Sequence, residues 1–195
     1  GPGKSAVIIG GGYIGLEAAA SMRKLGMKIT VLEAMPRILQ RVTAPQVSSF
    51  YRRVHTEEGV NVITEAAVES LEGDGTVSGV KLADGNRLDA DLVIIGVGVL
   101  PNTELADLAG LTVDNGIVVD EFARTSEPDI VAAGDCTNHY NPIYKRLLRL
   151  ESVQNATDQA KTAANTMCGK LEPYNALPWF WSDQYDLKLQ IAGLS

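Results

Sequence analysis

Apolar and polar residues follow a regular succession of patterns at the start of the chain. A short β-branched run over residues 5–10, SAVIIG, is typical of a strand buried in a parallel sheet. The next apolar side chains fall at helical spacing: Ile14, Ala18, Met22 and Leu25. Gly26 predicts the end of this helix, and the run KITVLEA predicts a second strand that ends near Glu33. The pattern therefore predicts a strand–loop–helix–strand unit.

A second helix and a third strand are predicted next. The stretch after Pro45 places apolar side chains on one helical face: Val47, Phe50, Tyr51 and Val54. Gly59 predicts the end of this helix, and VNVIT follows it as a strand. His55 falls on the polar side of the helix, which predicts a solvated histidine.

Residues 66–92 change to alternating runs separated by turn signals at Asp74-Gly75 and Asp84-Gly85, a pattern typical of an antiparallel meander. The buried run DLVIIGVG then leads into another glycine loop. The predicted fold class is α/β, with a parallel sheet in which the β-meander forms one crossover.

The second half of the chain predicts shorter elements. Two strands are expected at residues 117–119 and 130–133, the latter ending in Gly134-Asp135. Residues 151–169 have a small-residue face typical of a closely packed helix. The final stretch, PWFWSDQYDLKLQIAGLS, predicts further strands.

Composition narrows the class of protein. The 195 residues include 45% hydrophobic residues and carry a net charge of −7, so a nucleic-acid partner is not expected. The longest apolar runs are too short for a bilayer, so no membrane partner is expected. Cys136 and Cys168 lie far apart without metal-like or redox-like spacing, which favours a reducing compartment and a cytoplasmic localisation; no metal site is expected.

A glycine-rich loop between the first strand and helix carries the candidate chemistry. Gly10, Gly11, Gly12, Tyr13, Ile14 and Gly15 form the pattern G-x-G-x-x-G. Gly10 permits the turn, Gly12 lets a pyrophosphate approach the backbone, and Gly15 lets helix pack on strand. GPGKS, residues 1–5, lacks the first glycine of a P-loop and precedes its strand, so we reject it as a phosphate site.

The acid at the end of the second strand indicates which nucleotide is preferred. The Glu33 carboxylate would accept hydrogen bonds from the adenosine ribose hydroxyls and would repel a 2′-phosphate. Arg37, four residues later, works against this preference. The residues therefore predict a dinucleotide site that prefers NADH to NADPH.

Five motifs then occur in a recognisable order: VIIGGGYIGLEAA, VIIGVGVLPN, TSEPDIVAAGDC, ESVQNATDQA and PWFWSDQ. On these motifs, the chain resembles the FAD-dependent NADH:ferredoxin reductases that serve oxygenases, of the putidaredoxin reductase and rhodocoxin reductase type. The resemblance implies a Rossmann-like NADH-binding domain at residues 1–101. It also implies a returning segment of an FAD-binding domain at 102–175 and the start of a C-terminal reductase domain at 176–195. The N-terminal FAD half and most of the C-terminal domain would be missing.

The same resemblance implies roles for individual residues. Glu17 would lie near the nicotinamide, and the second glycine loop, Gly96, Val97 and Gly98, would form the floor under the dinucleotide. Asp135 would hydrogen-bond the FAD ribityl chain, and the helix that starts near Ser152 and Val153 would point its N-terminus at the flavin. Trp181 would pack near the flavin. From the residues alone, Asp135 as a turn cap and the tryptophans as core aromatics stay open.

The implied activity is hydride transfer from NADH to FAD, followed by release of single electrons to a small iron–sulfur ferredoxin. Lys145, Arg146 and Arg149 form a basic cluster that is either a solvated face or the docking patch for an acidic ferredoxin. Two alternatives stay open: a disulfide reductase relative, and an NAD/FAD-binding protein similar to apoptosis-inducing factor or an NAD-binding module without turnover.

Overall fold

The apolar runs near the start of the chain form a parallel sheet in the computed structural model, which describes residues 1–194. The elements of this part, in chain order, are β1 (Ser5–Ile9), α1 (Tyr13–Lys24), β2 (Lys28–Glu33), α2 (Pro45–Glu57), β3 (Asn61–Thr64), β4 (Val68–Gly73), β5 (Val77–Leu82), β6 (Arg87–Asp89) and β7 (Leu92–Ile95). The sheet has the order β3–β2–β1–β7, and all three neighbouring pairs are parallel. The predicted α/β fold class is confirmed.

Strand β1 lies at the centre of this sheet, and its two faces belong to different cores. Ile8 packs with residues of α1 and α2, whereas Val7 packs with residues of β5 and the end of β2. Both side chains are at most 2% exposed. Burial on both faces explains why β1 has a continuous apolar run instead of alternation.

The predicted meander forms a separate antiparallel sheet in the order β4–β5–β6. Gly75 and Gly85 adopt φ values of 67° and 89° at its two turns. A positive φ at both positions explains why glycine follows aspartate in each turn.

Helix α1 is buried on a different face from the predicted one. Its buried residues are Gly15, Leu16, Ala19, Ala20 and Met22, whereas Ile14 is 66% exposed. Of the four apolar positions used for the prediction, only Met22 is buried. The close approach of Gly15 to β1 sets the buried face of the helix, and this contact is invisible to a count of apolar side chains.

The prediction of a solvated His55 is wrong. Ser48, Tyr51 and His55 are the buried residues of α2, and His55 is 0% exposed. His55 Nε2 lies 2.8 Å from Gln184 Oε1, and Nδ1 lies 3.0 Å from the Tyr185 hydroxyl. These distant polar partners satisfy the buried imidazole and remove the usual cost of its burial.

Seven further elements follow: α3 (Glu104–Leu108), β8 (Ile117–Val119), β9 (Thr137–Asn141), β10 (Arg146–Leu148), α4 (Val153–Met167), β11 (Trp179–Gln184) and β12 (Leu187–Ala192). Strands β10, β9 and β8 form one sheet in that order, and β11 pairs with β12. The strand expected at 130–133 is absent from the described residues, where Val131 makes only an isolated bridge with Arg124.

Contacts divide the described chain into two units, each with its own fold. The first comprises Gly1–Gly98 with Ser182–Leu189, and the second comprises 99–181 with 190–194. The first unit holds the parallel sheet and the meander, and the second holds the β10–β9–β8 sheet and α4. The functional domain boundaries predicted above remain a prediction. Within residues 1–194, every helix is too short or too polar to span a bilayer.

Candidate functional site

The glycine loop after β1 is closed by contacts that leave no room for side chains. Gly10 has a φ of 113°, and a Cβ there would lie 2.2 Å from the carbonyl oxygen of Gly96. A Cβ on Gly15 would lie 2.1 Å from the carbonyl oxygen of Gly10. Because both contacts are with backbone atoms, these glycines allow β1, α1 and the end of β7 to meet.

Gly12 is different, because nothing in the protein explains its lack of a side chain. It has a φ of −82°, which any residue adopts, and a Cβ there would have no atom within 4 Å. It stands at the N-cap of α1, where backbone amides and the helix dipole favour an anion. An open cradle at this position therefore fits a pyrophosphate that approaches the backbone closely.

Glu33 is held beside this loop by two backbone amides. Its Oε2 accepts a hydrogen bond from the Gly11 N–H at 2.8 Å, and its Oε1 accepts one from the Met35 N–H at 2.8 Å. The side chain is half-buried at the end of β2. Each carboxylate oxygen can accept a further hydrogen bond, so the fixed carboxylate can bind a pair of ribose hydroxyls.

The Arg37 side chain forms hydrogen bonds within its own loop and with α2. Its Nη1 donates to the Thr43 carbonyl at 2.9 Å and to the Ser48 hydroxyl at 2.6 Å, and its Nη2 donates to the Gln40 carbonyl at 3.1 Å. The guanidinium therefore braces the segment between β2 and α2. In the sequence, Arg37 indicated only a weaker preference for NADH over NADPH. Nothing in the local pattern predicts the hydrogen-bond partners of its side chain.

Tyr13 and Ile14 open α1 in different surroundings. Tyr13 is half-buried against the first core, and burial raises the pKa of its hydroxyl to about 12. Ile14 is 66% exposed beside the loop, so an apolar surface is available next to the Gly12 cradle. A flat aromatic group of a dinucleotide suits such a surface.

The second glycine loop follows β7 at the same edge of the sheet. The Gly96 N–H donates to the Ile9 carbonyl at 2.7 Å, Gly98 has a φ of 121°, and Val97 is 59% exposed. Because β1, β2 and β7 are parallel, their carboxyl ends bring this loop, the first glycine loop and Glu33 to one edge. Ligands of open α/β sheets bind at this edge.

Glu17 lies one turn into α1 and has a partner that the sequence did not predict. Its Oε1 accepts a hydrogen bond of 2.6 Å from the Ser182 hydroxyl. Ser182 is 0% exposed in β11, far along the chain from Glu17. Ser182 and Gln184 are buried and Asp183 is exposed, but all three are polar, so the local sequence gives no signal that Ser182 faces inward.

In the second unit, the turn at Gly134-Asp135 is built on a buried glutamine. Gln159 Oε1 accepts hydrogen bonds from the Gly134 N–H at 2.8 Å and from the Thr137 hydroxyl at 2.7 Å. Gly134 has a φ of 90°. Asp135 is exposed, and partial desolvation together with the Glu151 charge raises the pKa of its carboxyl. An exposed carboxylate on a fixed turn is a suitable acceptor for sugar-like hydroxyls.

The N-terminus of α4 is capped by its own sequence. The Ser152 hydroxyl accepts a hydrogen bond from the Asn155 N–H at 3.2 Å, and Val153, the first helical residue, is 62% exposed. The helix extends for 15 residues, so its dipole is well developed at this end. The open helix end fits the polar edge of a flavin.

Two tryptophans at the start of β11 lie together. The ring centroids of Trp179 and Trp181 are 5.2 Å apart, and the ring planes are inclined by 31°. Trp181 is half-buried, whereas Trp179 is exposed and its backbone N–H donates to Gln154 Oε1 at 3.2 Å.

The predicted basic cluster has fewer free positive charges at the surface than its three basic residues would suggest. Lys145 and Arg146 are exposed. Arg149 has a side chain only 12% exposed, and its Nη2 lies 2.7 Å from Glu151 Oε1. The free positive charge of this surface therefore comes from Lys145 and Arg146. The described residues contain no group of three side chains suited to hold a metal ion.

Residues 1–160 match the family described as pyridine nucleotide-disulphide oxidoreductase, and residues 179–195 match a reductase C-terminal family. Putidaredoxin reductase from Pseudomonas putida is 50% identical over 192 residues, which are 97% of this chain and 46% of that protein. Rhodocoxin reductase from Rhodococcus erythropolis is 48% identical over 98% of this chain and 45% of its own length.

A solved structure shows the same similarity in three dimensions. The covalent putidaredoxin reductase–putidaredoxin complex superimposes with a TM-score of 0.96 at 49% identity, covering 100% of this chain and 47% of that chain. The chain thus spans about half the length of the relatives that it matches.

Proposed function

Since the chain belongs to the pyridine nucleotide-disulphide oxidoreductase family, we propose that it supplies the NADH site and part of the FAD site of a ferredoxin reductase. We assign the NADH site to residues 1–101, part of the FAD site to 102–175, and the start of a reductase C-terminal domain to 176–195. Bound FAD would take up the hydride of NADH and pass single electrons to a small iron–sulfur ferredoxin. The relatives that are reductases by name support this proposal.

The observation that carries the proposal is the arrangement of Glu33 and Gly12 around one loop. Gly12 leaves an open cradle at the start of α1, and the Glu33 carboxylate is bonded to the amide of Gly11 within the same loop. A pyrophosphate in the cradle and a ribose at the carboxylate are the two parts of one dinucleotide. Gly96, Val97 and Gly98 border the same sheet edge as the floor of the site.

The preference for NADH over NADPH rests on Glu33 and Arg37. The Glu33 carboxylate would repel a 2′-phosphate, and Arg37 has three acceptors within its own segment. An arginine that binds a 2′-phosphate would need to give up these contacts. Both residues therefore favour the cofactor without the extra phosphate.

In the second unit, four residues would hold FAD. The Asp135 carboxylate would accept hydrogen bonds from ribityl hydroxyls. The α4 N-terminus at Ser152 and Val153 would place positive dipole potential at the flavin edge, which favours negative charge there. Trp181 would pack on the ring system as an electron exit. The resemblance to the ferredoxin reductases implies each of these roles, and the exposure of Asp135 and Val153 is compatible with them.

The partner is a small acidic iron–sulfur protein. Lys145 and Arg146 would contribute to its docking, and Arg149 would contribute less because Glu151 neutralises it. Electrostatic docking of this kind raises the association rate at low salt. We expect the variant K145E/R146E to slow ferredoxin reduction at low ionic strength and to match the unsubstituted protein at high ionic strength.

The full-length flavoprotein tests the proposal directly. NADH should reduce its flavin, and the reduced protein should then reduce a ferredoxin. Reduction of disulfides without reduction of ferredoxin would indicate the disulfide reductase alternative. Cys136 and Cys168 are both free thiols among the described residues. NADH binding without any electron transfer would indicate the binding-protein alternative.

A further inference from the structure

A continuous series of hydrogen bonds in the first unit ends on Glu17. The Tyr185 hydroxyl lies 3.0 Å from His55 Nδ1, and His55 Nε2 lies 2.8 Å from Gln184 Oε1. Gln184 Nε2 donates to the Ser182 hydroxyl at 3.0 Å, and the Ser182 hydroxyl donates to Glu17 Oε1 at 2.6 Å. We call these four hydrogen bonds the Glu17 relay.

The chemistry of the groups fixes the direction of every donor in the relay. An amide oxygen only accepts, so His55 Nε2 carries the proton toward Gln184. Neutral His55 then has a bare Nδ1, which accepts from the Tyr185 hydroxyl. Burial lowers the pKa of His55, against the hydrogen bond of Gln184 and the charge of Glu58, so the neutral form is favoured. All four hydrogen bonds therefore point the same way, from Tyr185 to the carboxylate.

The middle of the relay is sealed from water and its outer end is anchored. His55, Gln184 and Ser182 are each 0% exposed. The Lys24 ammonium donates to the Tyr185 carbonyl at 2.8 Å, which holds the outer end against α1. A buried polar group that loses its partner pays a desolvation cost, so each member of the relay holds the next in place.

At the inner end of the relay, one of the two carboxylate oxygens of Glu17 is available to a ligand. Glu17 is half-buried, and its Oε1 is taken by Ser182. The part of the chain that the structure describes provides no hydrogen-bond donor to Oε2. One oxygen is thus fixed by the protein, and the other can accept an N–H from a ligand. The carboxamide N–H of a nicotinamide is a donor of the right chemical class.

We propose that Ser182 is a positioning residue that orients the Glu17 carboxylate toward the nicotinamide carboxamide, and that His55 and Gln184 hold Ser182 in place. The proposal rests on the proposed function, in which Glu17 lies near the nicotinamide. Ser182 itself touches neither cofactor nor substrate in this proposal. Its effect is transmitted only through Glu17.

A double-mutant cycle in the holoenzyme tests this transmission. We expect Ser182→Ala to lower the rate constant for flavin reduction by NADH about tenfold, the value of one hydrogen bond that holds a reacting group. In a Glu17→Ala background, adding Ser182→Ala should lower that rate constant no further. Asp183→Asn is the matched control, because it lies next to Ser182 in β11 but is exposed. It should leave the rate constant unchanged.

A second measurement tests the direction of the hydrogen bonds in the relay without an activity assay. Nitrogen-15 spectra of histidine-labelled holoenzyme should show His55 with a protonated Nε2 and a bare Nδ1 at pH 7.5. The variant His55→Asn assigns the signal. The opposite tautomer, with the proton on Nδ1, would overturn the relay because its direction would be reversed.

The two proposals fail in different ways. If NADH neither binds nor reduces the flavin, the proposed function fails. If NADH reduces the flavin but Ser182→Ala costs the same factor with and without Glu17, only the positioning role fails. A Ser182→Ala enzyme that is as fast as the unsubstituted one overturns the positioning role as well.

Discussion

The carboxylate of Glu33 and the backbone amide of Gly11 are joined by a hydrogen bond of 2.8 Å between Oε2 and N. This contact couples the end of β2 to the glycine loop after β1. It fixes the carboxylate before any ligand arrives, so little conformational entropy is lost when a ribose binds. Gly11 also has no room for a side chain, since a Cβ there would lie 2.8 Å from Ile38 Cγ2 and 2.9 Å from Glu33 Oε2.

We expect Glu33→Ala to weaken NADH binding by about 1–3 kcal/mol, because two charge-assisted hydrogen bonds to the ribose are lost. NADPH binding should change less, since the lost carboxylate would also have repelled its 2′-phosphate. Isothermal titration with both nucleotides measures the difference. Glu57→Ala, an exposed carboxylate of α2, is the control. An equal loss for both nucleotides would exclude the ribose role.

Gly12→Ala and Gly15→Ala should separate ligand binding from folding. An alanine at Gly12 fits the protein, so its free energy of unfolding should stay within about 0.5 kcal/mol of the original. The added methyl group points into the cradle, so NADH affinity should fall at least about tenfold. An unchanged NADH affinity in the stable Gly12→Ala protein would remove the pyrophosphate from this loop.

Gly15→Ala should act on the fold itself. Its Cβ would lie 2.1 Å from the Gly10 carbonyl, so helix and strand must move apart. We expect a loss of about 1–3 kcal/mol in the free energy of unfolding, as for other overpacked sites. Urea denaturation measures both glycine variants side by side. Equal stability of the two variants would show that the close approach at Gly15 does not constrain the fold.

The parallel sheet was predictable because burial on both faces leaves a direct trace in the sequence. Val7 and Ile8 point to opposite faces of β1 and both are buried, which yields the run that marked the strand. The segment at 130–133 looks similar but is not a strand. Of these residues only Val131 makes a β-bridge, with Arg124, and β-structure depends on neighbours that the local sequence does not reveal.

The residues of the site were predictable where a single sequence motif brings them together. They were not predictable where the tertiary fold brings together residues that are far apart in the sequence. Gly12 and Glu33 were identified because the strand–loop–helix–strand unit dictates their proximity. His55 was placed on the wrong face because its partners lie more than a hundred residues away, Gln184 at the end of β11 and Tyr185 in the turn that follows it. Ser182 was missed as a partner of Glu17 for the same reason.

Ser152→Ala should destabilise α4. Its hydroxyl accepts from the Asn155 N–H, and loss of an N-cap costs about 1 kcal/mol. Chemical denaturation of the second unit should show this loss, and Ser152→Thr should restore most of it. A Ser152→Ala protein with unchanged stability would show that the cap contributes nothing at this helix end.

The two buried histidines predict how stability depends on pH. Burial lowers the pKa of His55 and of His139 from the ordinary value of 6.5. Below pH 6.5 the unfolded chain therefore binds more protons than the folded one, and the free energy of unfolding falls as the pH falls. The slope should reach at most about 1.4 kcal/mol per pH unit for each histidine. Above about pH 8 both histidines are neutral in both states, so their contribution there is constant.

Variants assign this slope to the individual histidines. The free energy of unfolding should be measured by urea denaturation at intervals between pH 7.5 and 5. His139→Phe should remove the contribution of His139 and keep a ring against Tyr174, whose centroid lies 5.1 Å from that of His139. His55→Gln should remove the contribution of His55. If the slope in the double variant is the same as in the unsubstituted protein, it comes from other groups, and the buried histidines are protonated to the same extent in both states.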